Sequence, residues 1–313
     1  MTAIIFDCDT GVDDAMAIMY GAGNGADFVA CTVTHGNVPV TVGARNTLTV
    51  LDAVGLNHVP VHVGAARPMA QPLKTAEWVH GEDGLGNTNP TPSTRPLAGN
   101  LAAVEIVRLA RERPGELTLV AVGPMTNIGL ALLLEPDLPR LLPRVVVMGG
   151  AVGVPGNASQ TSEANFWHDP EAAQLVLDAE WDLVLVGLES TMSTTLTPEA
   201  IDRLSRVETP HGLLLWNAMQ HYMAIYAKPL GRLTCVLHDP LAIALALDPD
   251  LAEYRLVRVA MEMHGEHTRG QVVGDLRGYE PDPSDPLEPG VARIVTRLDL
   301  ATFHERFLQS LGA

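Results

Sequence analysis

The chain has 313 residues, of which 47% are hydrophobic and 18% charged, and its formal net charge is −17 at pH 7. A chain of this length and composition can bury a sizeable core, as one large α/β domain or as two smaller domains. So much negative charge argues against nucleic-acid backbones and anionic membranes as partners, because both would be repelled, and it favours a neutral small molecule or a cation.

The cysteine content and the apolar runs bear on cellular location. Cys8, Cys31 and Cys235 form no CxxC pair and leave one cysteine over in any disulfide scheme, which is typical of a reducing compartment. The short apolar run near the N-terminus has no basic segment before it, and no stretch approaches about 18 uninterrupted apolar residues. We therefore expect a cytoplasmic protein without a membrane-spanning segment.

Short β-branched runs alternate with helical patterns through the first two thirds of the chain. The predicted strands are Ala3–Asp7, Phe28–Thr34, Val59–Val63, Leu117–Val122, Arg144–Met148 and Trp181–Val186. The predicted helices are Asp13–Tyr20, Val42–Val54, Leu101–Glu112, Asn127–Leu134 and Pro170–Ala179. Because strands this apolar are buried on both faces, the alternation predicts an α/β fold with a doubly wound, mostly parallel sheet and helices on both faces.

The C-terminal third is predicted to add a helical elaboration and a short antiparallel hairpin. Its predicted helices are Pro198–Arg206, Leu213–Tyr226, Pro240–Leu247 and Ala301–Leu311, and its strand pair is Tyr254–Met263 with Val291–Leu298. The proline- and acid-rich stretch Pro281–Gly290 is predicted to be a surface loop, too short to act as a linker. We therefore expect a single domain over residues 1–313.

The first strand is followed by "DCDTGVDD", which contains Asp7, Asp9, Asp13 and Asp14. Ligands of open α/β sheets bind beyond the carboxyl ends of the strands, where this segment lies. Capping of the next helix accounts for Asp13 or Asp14 but not for all four carboxylates. Close carboxylates repel one another when buried, so a cation is expected among them, and an all-oxygen set favours Ca²⁺ or Mg²⁺ over zinc.

One other enzyme class uses a similar pattern. Haloacid-dehalogenase-type phosphatases also place Asp-x-Asp after a strand, but they continue with Thr or Val where this chain has Gly11. They also need a lysine to balance the phosphate, and the chain contains only Lys74 and Lys228. The phosphatase interpretation is therefore the weaker one.

The segment "WVHGEDGLGNTNPTP", Trp78–Pro92, is a long loop rich in Gly, Asn and Pro. Loops of this length in compact domains are often active-site lids, and a mobile surface loop is the alternative. Trp78 and, further along, Trp167 could stack on an aromatic ligand or serve ordinary packing.

Four further segments lie at the ends of predicted strands or the starts of helices; three of them carry polar residues there, and the second ends in two glycines that let a ligand approach the backbone closely. They are "VAVGPMTNIG" (Val120–Gly129), "VVVMGGAV" (Val145–Val152), "GNASQTSEANFWHDPEAA" (Gly156–Ala173) and "LHDPLAIALAL" (Leu237–Leu247). Taken singly, each has an ordinary explanation as a tight turn or a helix cap.

Taken together, with the acidic segment, these motifs resemble the nucleoside hydrolase family, the inosine-uridine preferring nucleoside N-ribohydrolases. The ordered set is D-x-D-x-G-x-D-D-A, G-P-x-T-N, M-G-G, G-N followed by E-x-N, and H-D-P, and it extends from Ile5 to about Leu247. The resemblance implies Ca²⁺-dependent hydrolysis of ribonucleosides to ribose and free base, a role in nucleoside salvage, and a homodimer or homotetramer.

The resemblance also implies roles for individual residues. The Ca²⁺ ligands would be Asp9, Asp14, Asp239 and the backbone carbonyl of Val122. Asp9 would also be the general base for the attacking water, and His238 would protonate the departing base. The implied substrate contacts, besides His238, are Asp13, Asn37, His80, Met148, Asn157, Glu163, Asn165, Tyr222 and Tyr226.

The sequence leaves three points open. Ala164 replaces an aromatic residue that is frequent in the family, between Glu163 and Asn165. The alternative function is a catalytically silent nucleoside- or ribose-binding protein on the same scaffold, although a pure binder needs neither a general base nor a proton donor. His238 points to inosine or uridine as substrates, and the preferred nucleobase stays undetermined.

Overall fold

The computed structural model describes residues 2–278 and 289–313. The predicted surface loop Pro281–Gly290 lies outside these ranges except for its last two residues. Among the described residues, no helix combines the length and apolar character needed to cross a membrane.

Within these ranges, nine strands form one sheet in the order β3-β2-β1-β4-β5-β6-β9-β7-β8. The strands are β1 (Ala3–Cys8), β2 (Asp27–Val33), β3 (Val61–Val63), β4 (Thr118–Ala121), β5 (Arg144–Met148), β6 (Asp182–Val186), β7 (Ala252–Met261), β8 (Val272–Gly274) and β9 (Val291–Leu298). Neighbours from β3 to β9 pair in parallel, whereas β7 is antiparallel to both β9 and β8. The predicted parallel α/β sheet with a C-terminal antiparallel pair is confirmed.

The helices cover both faces of this sheet. They are α1 (Val12–Gly23), α2 (Val40–Ala53), α3 (Glu77–His80), α4 (Ala102–Glu112), α5 (Thr126–Leu134), α6 (Leu138–Leu141), α7 (Ala164–His168), α8 (Pro170–Leu177), α9 (Leu188–Thr191), α10 (Pro198–Leu204), α11 (Pro210–Leu230), α12 (His238–Leu247) and α13 (Leu300–Leu311). The short helices α3, α6, α7 and α9 are absent from the sequence-based prediction, because four or five residues are too few to show a helical period.

The central strand β1 is buried on both faces, so alternate residues join two different cores. Phe6 packs in the core that contains α1 and α12, whereas Ile5 packs in the core that contains α4, α5 and α8. The strand order reverses between β1 and β4, because β2 lies on one side of β1 and β4 on the other. This is the switch point at which open α/β sheets bind ligands.

Helix α12 is apolar around its whole circumference, and every residue from His238 to Ala246 is buried. A helix of this kind can only lie inside the protein, and it packs against α1 and against β4 and β5. Its first turn therefore holds His238 and Asp239 rigidly, close to the start of α1 and the segment "DCDTGVDD".

Candidate active site

A cavity of about 910 Å³ lies at the carboxyl ends of the parallel strands. The residues predicted from the sequence that line it are Asp13, Asn37, His80, Val122, Met148, Asn157, Glu163, Asn165, Tyr222, Tyr226, His238 and Asp239. The two remaining predicted residues, Asp9 and Asp14, lie behind this lining and are fully buried. The fold thus gathers residues from eight separate stretches of the chain around one space.

Three carboxylates meet at the base of the cavity. Asp13, Asp14 and Asp239 each offer a side-chain oxygen, and these oxygens lie within 4.8 Å of one another. The turn after β1 fixes Asp14, because its carboxylate accepts hydrogen bonds from the backbone N–H groups of Asp9 (3.0 Å) and Gly11 (2.9 Å). Helix α1 then presents Asp13 and Asp14 in its first turn, where the helix dipole favours negative charge.

Asn37 holds the carboxylate of Asp9 in place behind this cluster. Its backbone N–H donates to Asp9 Oδ2 at 2.6 Å, and its side-chain Nδ2 donates to Asp9 Oδ1 at 3.2 Å and to Asp14 Oδ2 at 3.0 Å. Gly36, the residue before it, leaves no room for a side chain, since a Cβ atom there would lie 2.0 Å from Asp9 Oδ2. The orientation of Asp9 is therefore tightly determined.

Asp7, the fourth carboxylate of the acidic segment, is used differently. It accepts hydrogen bonds from Thr32 Oγ1 on β2 (2.5 Å) and from Asn127 Nδ2 on α5 (2.8 Å). Through Oδ1 it therefore ties β1 to a neighbouring strand and helix, while its Oδ2 is buried without a hydrogen-bond partner among the described residues.

The electrostatics of the cluster fit a bound cation. Burial raises the pKa of Asp13 and Asp14 to about 6, and it raises the pKa of Asp9 and Asp239 well above the usual range for aspartate. Asp13 Oδ1 is buried and has no hydrogen-bond partner among the described residues. A divalent cation would favour the charged carboxylates. With the Val122 carbonyl at the same cavity, the donors are all oxygens, as hard cations such as Ca²⁺ prefer.

These pKa shifts predict how stability depends on pH in metal-free protein. Burial holds the pKa of Glu163 at about 7 and those of Asp9 and Asp239 well above their ordinary value, so the folded chain retains protons that the unfolded chain has lost. Raising the pH from about 6.5 to about 8 removes those protons and lowers the free energy of unfolding. Buried histidines with lowered pKa act in the opposite sense, but only below their ordinary pKa of 6.5; they are His35, His80, His168 and His238.

We therefore expect the melting temperature of chelator-treated protein to fall as the pH rises from about 6.5 to about 8. Added Ca²⁺ should raise the melting temperature more at the upper end of this range, because it binds deprotonated carboxylates. Thermal unfolding followed by circular dichroism at several pH values, with and without Ca²⁺, measures both effects. A metal-free melting temperature that rises over this interval would contradict the assignment of proton-binding buried carboxylates.

His80 lies at the end of the short helix α3 and is buried. Its Nδ1 accepts a hydrogen bond from the backbone N–H of Val12 (3.2 Å) and lies 3.7 Å from Asp13 Oδ1. Burial lowers the pKa of His80 to about 4, so the ring is neutral at pH 7. In the following loop, the Asp83 carboxylate accepts hydrogen bonds from three backbone N–H groups, which gives this part of the predicted lid segment internal order.

A row of rings leads from His80 through Tyr222 and Tyr226 to His238, with neighbouring centroids 5.5, 4.8 and 5.8 Å apart. The tyrosines lie four residues apart on one face of α11. Tyr222 donates to Asp13 Oδ2 (3.1 Å), and the hydroxyl of Tyr226 lies 2.8 Å from His238 Nε2. Burial lowers the pKa of His238 to about 3, so its imidazole is neutral at pH 7.

The polar loop before α7 supplies a second group of hydrogen-bonding residues. Glu163 caps α7 by accepting from the backbone N–H groups of Asn165 (2.8 Å) and Phe166 (3.2 Å). Asn165 Nδ2 donates to the carbonyl oxygens of Val122 (2.8 Å) and Met148 (3.1 Å). Because these carbonyls occupy its NH₂ group, Asn165 has its amide oxygen left to offer a ligand. Asn157 is exposed at the cavity rim and accepts from the Ala164 N–H (2.9 Å).

Several further residues line or support the cavity, and the sequence left their role open or did not indicate one. Trp78 and Trp167, for which stacking and packing were both possible, line it, and Trp78 is 67% exposed rather than packed in a core. The two lysines of the chain also line it, with Lys74 Nζ 4.6 Å from the ring centroid of Trp167. Thr191 contacts His238 from α9. No motif marks these residues, and only the fold brings them to the site.

Comparisons with known proteins agree with this arrangement. A family model for the inosine-uridine preferring nucleoside hydrolases matches residues 4–305. A hydrolase of that name from Crithidia fasciculata is 32% identical over 98% of this chain and 96% of its own length. The pyrimidine-specific ribonucleoside hydrolase RihA of Shewanella woodyi is 35% identical over 98% of this chain and 97% of its own length.

The likeness extends to three dimensions. A solved plant nucleoside hydrolase matches with a TM-score of 0.93 and 30% sequence identity, covering 100% of this chain and 99% of the other. The likeness therefore spans the whole sheet and the carboxylate cluster at its switch point. The chain belongs to the inosine-uridine preferring nucleoside hydrolase family, whose members are glycosidases that act on N-ribosyl bonds.

Proposed function

We propose that the chain, as a single domain over residues 1–313, is a Ca²⁺-dependent enzyme that hydrolyses ribonucleosides of the inosine or uridine type to ribose and free base. The observation that carries this proposal is the meeting of three buried carboxylates with a tyrosine–histidine pair in one cavity of about 910 Å³. Such a site offers oxygen donors for a cation and a sugar, together with hydrogen-bond donors for a leaving group.

Asp9, Asp14, Asp239 and the Val122 carbonyl would hold Ca²⁺, as the family resemblance implies. When bound, the cation would make a nearby water more acidic and help to hold the ribose. Asp9, kept in one orientation by Asn37, would accept the proton of the attacking water.

The sugar would be bound by oxygen groups around the ring. In this proposal Asp13 accepts a hydrogen bond from the 2′-hydroxyl of the ribose. Asn157, Glu163 and Asn165 bind the remaining hydroxyls. Asn37, His80 and Met148 complete the wall on which the sugar lies. Cleavage of an N-glycosidic bond passes through an oxocarbenium-like sugar, so carboxylates placed around the ring stabilise the transition state more than the ground state.

His238 would act as the acid for the departing base, with Tyr226 beside it and Tyr222 next in the row. The lowered pKa of His238 keeps the ring neutral. A neutral imidazole assists by donating its N–H to the hydroxyl of Tyr226, which lies 2.8 Å from Nε2 and can in turn donate to the negative charge that develops on the base. This role serves inosine and uridine alike, which leaves the choice between them to the tyrosines and to the residues at the cavity rim.

We further propose a cytoplasmic homodimer or homotetramer that binds neither nucleic acid nor membranes. The three cysteines are free and buried, which suits a reducing compartment. Leu133 and Leu134, adjacent at the C-terminal end of α5, are 63% and 57% exposed. Exposed apolar side chains at adjacent positions favour self-association.

Ribose release tests the proposed function directly. We expect wild-type protein to release reducing sugar from uridine, cytidine, inosine or adenosine, to stop after chelation, and to resume when Ca²⁺ is restored. The 2′-deoxyuridine control should react far more slowly, because the groups that bind the 2′-hydroxyl would be left unpaired. Asp9→Ala should be inactive. Tight Ca²⁺ binding without sugar release from any ribonucleoside would favour the silent binding protein instead.

A further inference from the structure

His238 is held at both ring nitrogens. Its Nε2 faces the hydroxyl of Tyr226 at 2.8 Å, and its Nδ1 lies 2.9 Å from Thr191 Oγ1. Tyr226 and His238 line the cavity, whereas Thr191 lies behind them in α9 and is fully buried. The nitrogen that faces the cavity is therefore on the opposite side of the ring from Thr191.

The threonine hydroxyl has one partner. Among residues 2–278 and 289–313, its only hydrogen bond is to His238 Nδ1, while the backbone N–H of Thr191 bonds to the Gly187 carbonyl in the ordinary helical way. A hydroxyl carries one proton, and a buried hydroxyl proton without an acceptor costs the full desolvation of that group. The arrangement without an orphaned proton is the one in which Thr191 donates to Nδ1.

We propose that Thr191 is a positioning residue that selects the tautomer of His238. If Thr191 donates to Nδ1, the single proton of the neutral imidazole lies on Nε2. Nε2–H then donates to the oxygen of Tyr226, and the hydroxyl proton of Tyr226 is left for an acceptor on the departing base. In the other tautomer, the Tyr226 hydroxyl would donate its hydrogen bond to Nε2, and Tyr226 and His238 would have no donor left for the base.

This inference rests on the proposed function and deepens it, because it names the residue that keeps a hydrogen-bond donor on Tyr226 available to the departing base. Thr191→Val removes the hydroxyl but preserves the branched shape and the packing, and Thr191→Ser keeps the hydroxyl. We expect Thr191→Val to lower kcat for inosine or uridine by on the order of 10- to 100-fold, by analogy with loss of the hydrogen-bond partners that orient metal-ligating histidines, with little change in KM. Thr191→Ser should recover most of the activity.

A second substrate separates positioning from general damage. p-Nitrophenyl riboside releases a stable anion that needs no hydrogen-bond donor, so its hydrolysis should be nearly unchanged in Thr191→Val. Equal losses on both substrates would overturn the proposal, because they would show a structural defect. A Thr191→Ser variant as slow as Thr191→Val would overturn it as well, since the hydroxyl would then not be the active group.

Nitrogen NMR of the histidine side chains tests the tautomer without any catalytic assay. We expect Nδ1 of His238 to be unprotonated in the wild type and partly protonated in Thr191→Val, the resonance being assigned by its loss in His238→Phe. A wild-type spectrum with the proton on Nδ1 would overturn the role of Thr191, whether or not the protein is active. A wild type that cleaves neither substrate but shows the expected tautomer would overturn the proposed function instead.

Discussion

Asp239→Asn is expected to abolish Ca²⁺ binding and to lower kcat/KM for ribonucleosides by about 1,000-fold or more. A metal ion supplies several kcal/mol of transition-state stabilisation, and each 1.4 kcal/mol corresponds to about a factor of ten in rate. Asp239 is one of the three residues with carboxylate oxygens within 4.8 Å of one another. An amide at this position would keep the shape of the side chain and remove its charge.

The same substitution should leave metal-free protein at least as stable as the wild type. Asp239 is buried, and it forms no side-chain hydrogen bond with any residue in the described ranges. Its charged form is opposed by burial first and then by the charges of Asp13, Asp14 and Asp9, which raise its pKa. Removing that charge relieves repulsion and breaks no hydrogen bond, so loss of metal binding is separated from loss of the fold.

Isothermal titration with Ca²⁺, thermal unfolding with chelator, and ribose release measure the three expectations. Asp169→Asn is the matched control, because Asp169 is also buried but caps α8 by accepting from the Ala172 N–H (3.2 Å) and binds Thr126 Oγ1 (2.6 Å). It should lose about 1 kcal/mol of stability, because a neutral amide accepts the hydrogen bonds of Thr126 Oγ1 and the Met69 N–H less strongly than a carboxylate, and it should retain Ca²⁺ binding. A destabilised Asp239→Asn variant with normal Ca²⁺ affinity would show that Asp239 is structural.

Much of the sheet could be predicted because its strands are buried on both faces. The predicted Arg144–Met148 and Val291–Leu298 match β5 and β9 at both ends, since continuous β-branched runs between turn residues leave little choice of boundary. The pairing of β9 with β7 is predicted from the sequence and is confirmed, but the parallel pairing of β9 with β6 is not predicted. An apolar period shows that a segment is a strand without showing which distant strand it lies beside.

Part of the candidate site could likewise be predicted from the sequence, and part could not. The carboxylates of the acidic segment and the H-D-P motif could be found because each is a local pattern with a chemical reason. Thr191 could not be predicted, because its contact with His238 spans 47 positions in the sequence. A buried series of hydrogen bonds was equally unpredictable: His35 Nε2 bonds to Thr126 Oγ1 (2.9 Å), and Thr126 Oγ1 donates to Asp169 (2.6 Å). This series anchors the segment that carries Asn37. Such contacts follow only from the packed fold.

The second large effect is expected for His238→Ala, which should lower kcat for inosine or uridine by on the order of 100- to 1,000-fold. The loss should be about the same across neutral pH. Burial holds the pKa of His238 at about 3, so the ring is neutral throughout and its contribution does not follow an ordinary histidine titration. KM should change less than kcat, because the carboxylates and the loop residues that bind the sugar remain in place.

Ribonucleoside turnover between pH 6 and 8, compared with turnover of p-nitrophenyl riboside, measures this effect. His62→Ala is the matched control, because His62 is likewise buried but bonds to the Asn100 carbonyl (3.0 Å) and does not line the cavity. It should lose stability and keep its kcat. If His238→Ala slowed both substrates equally, His238 would be holding the cavity in shape rather than assisting the base. The donor would then have to be sought among the other groups of the cavity wall, with Tyr226, Tyr222 and the ring of His80 next along the row.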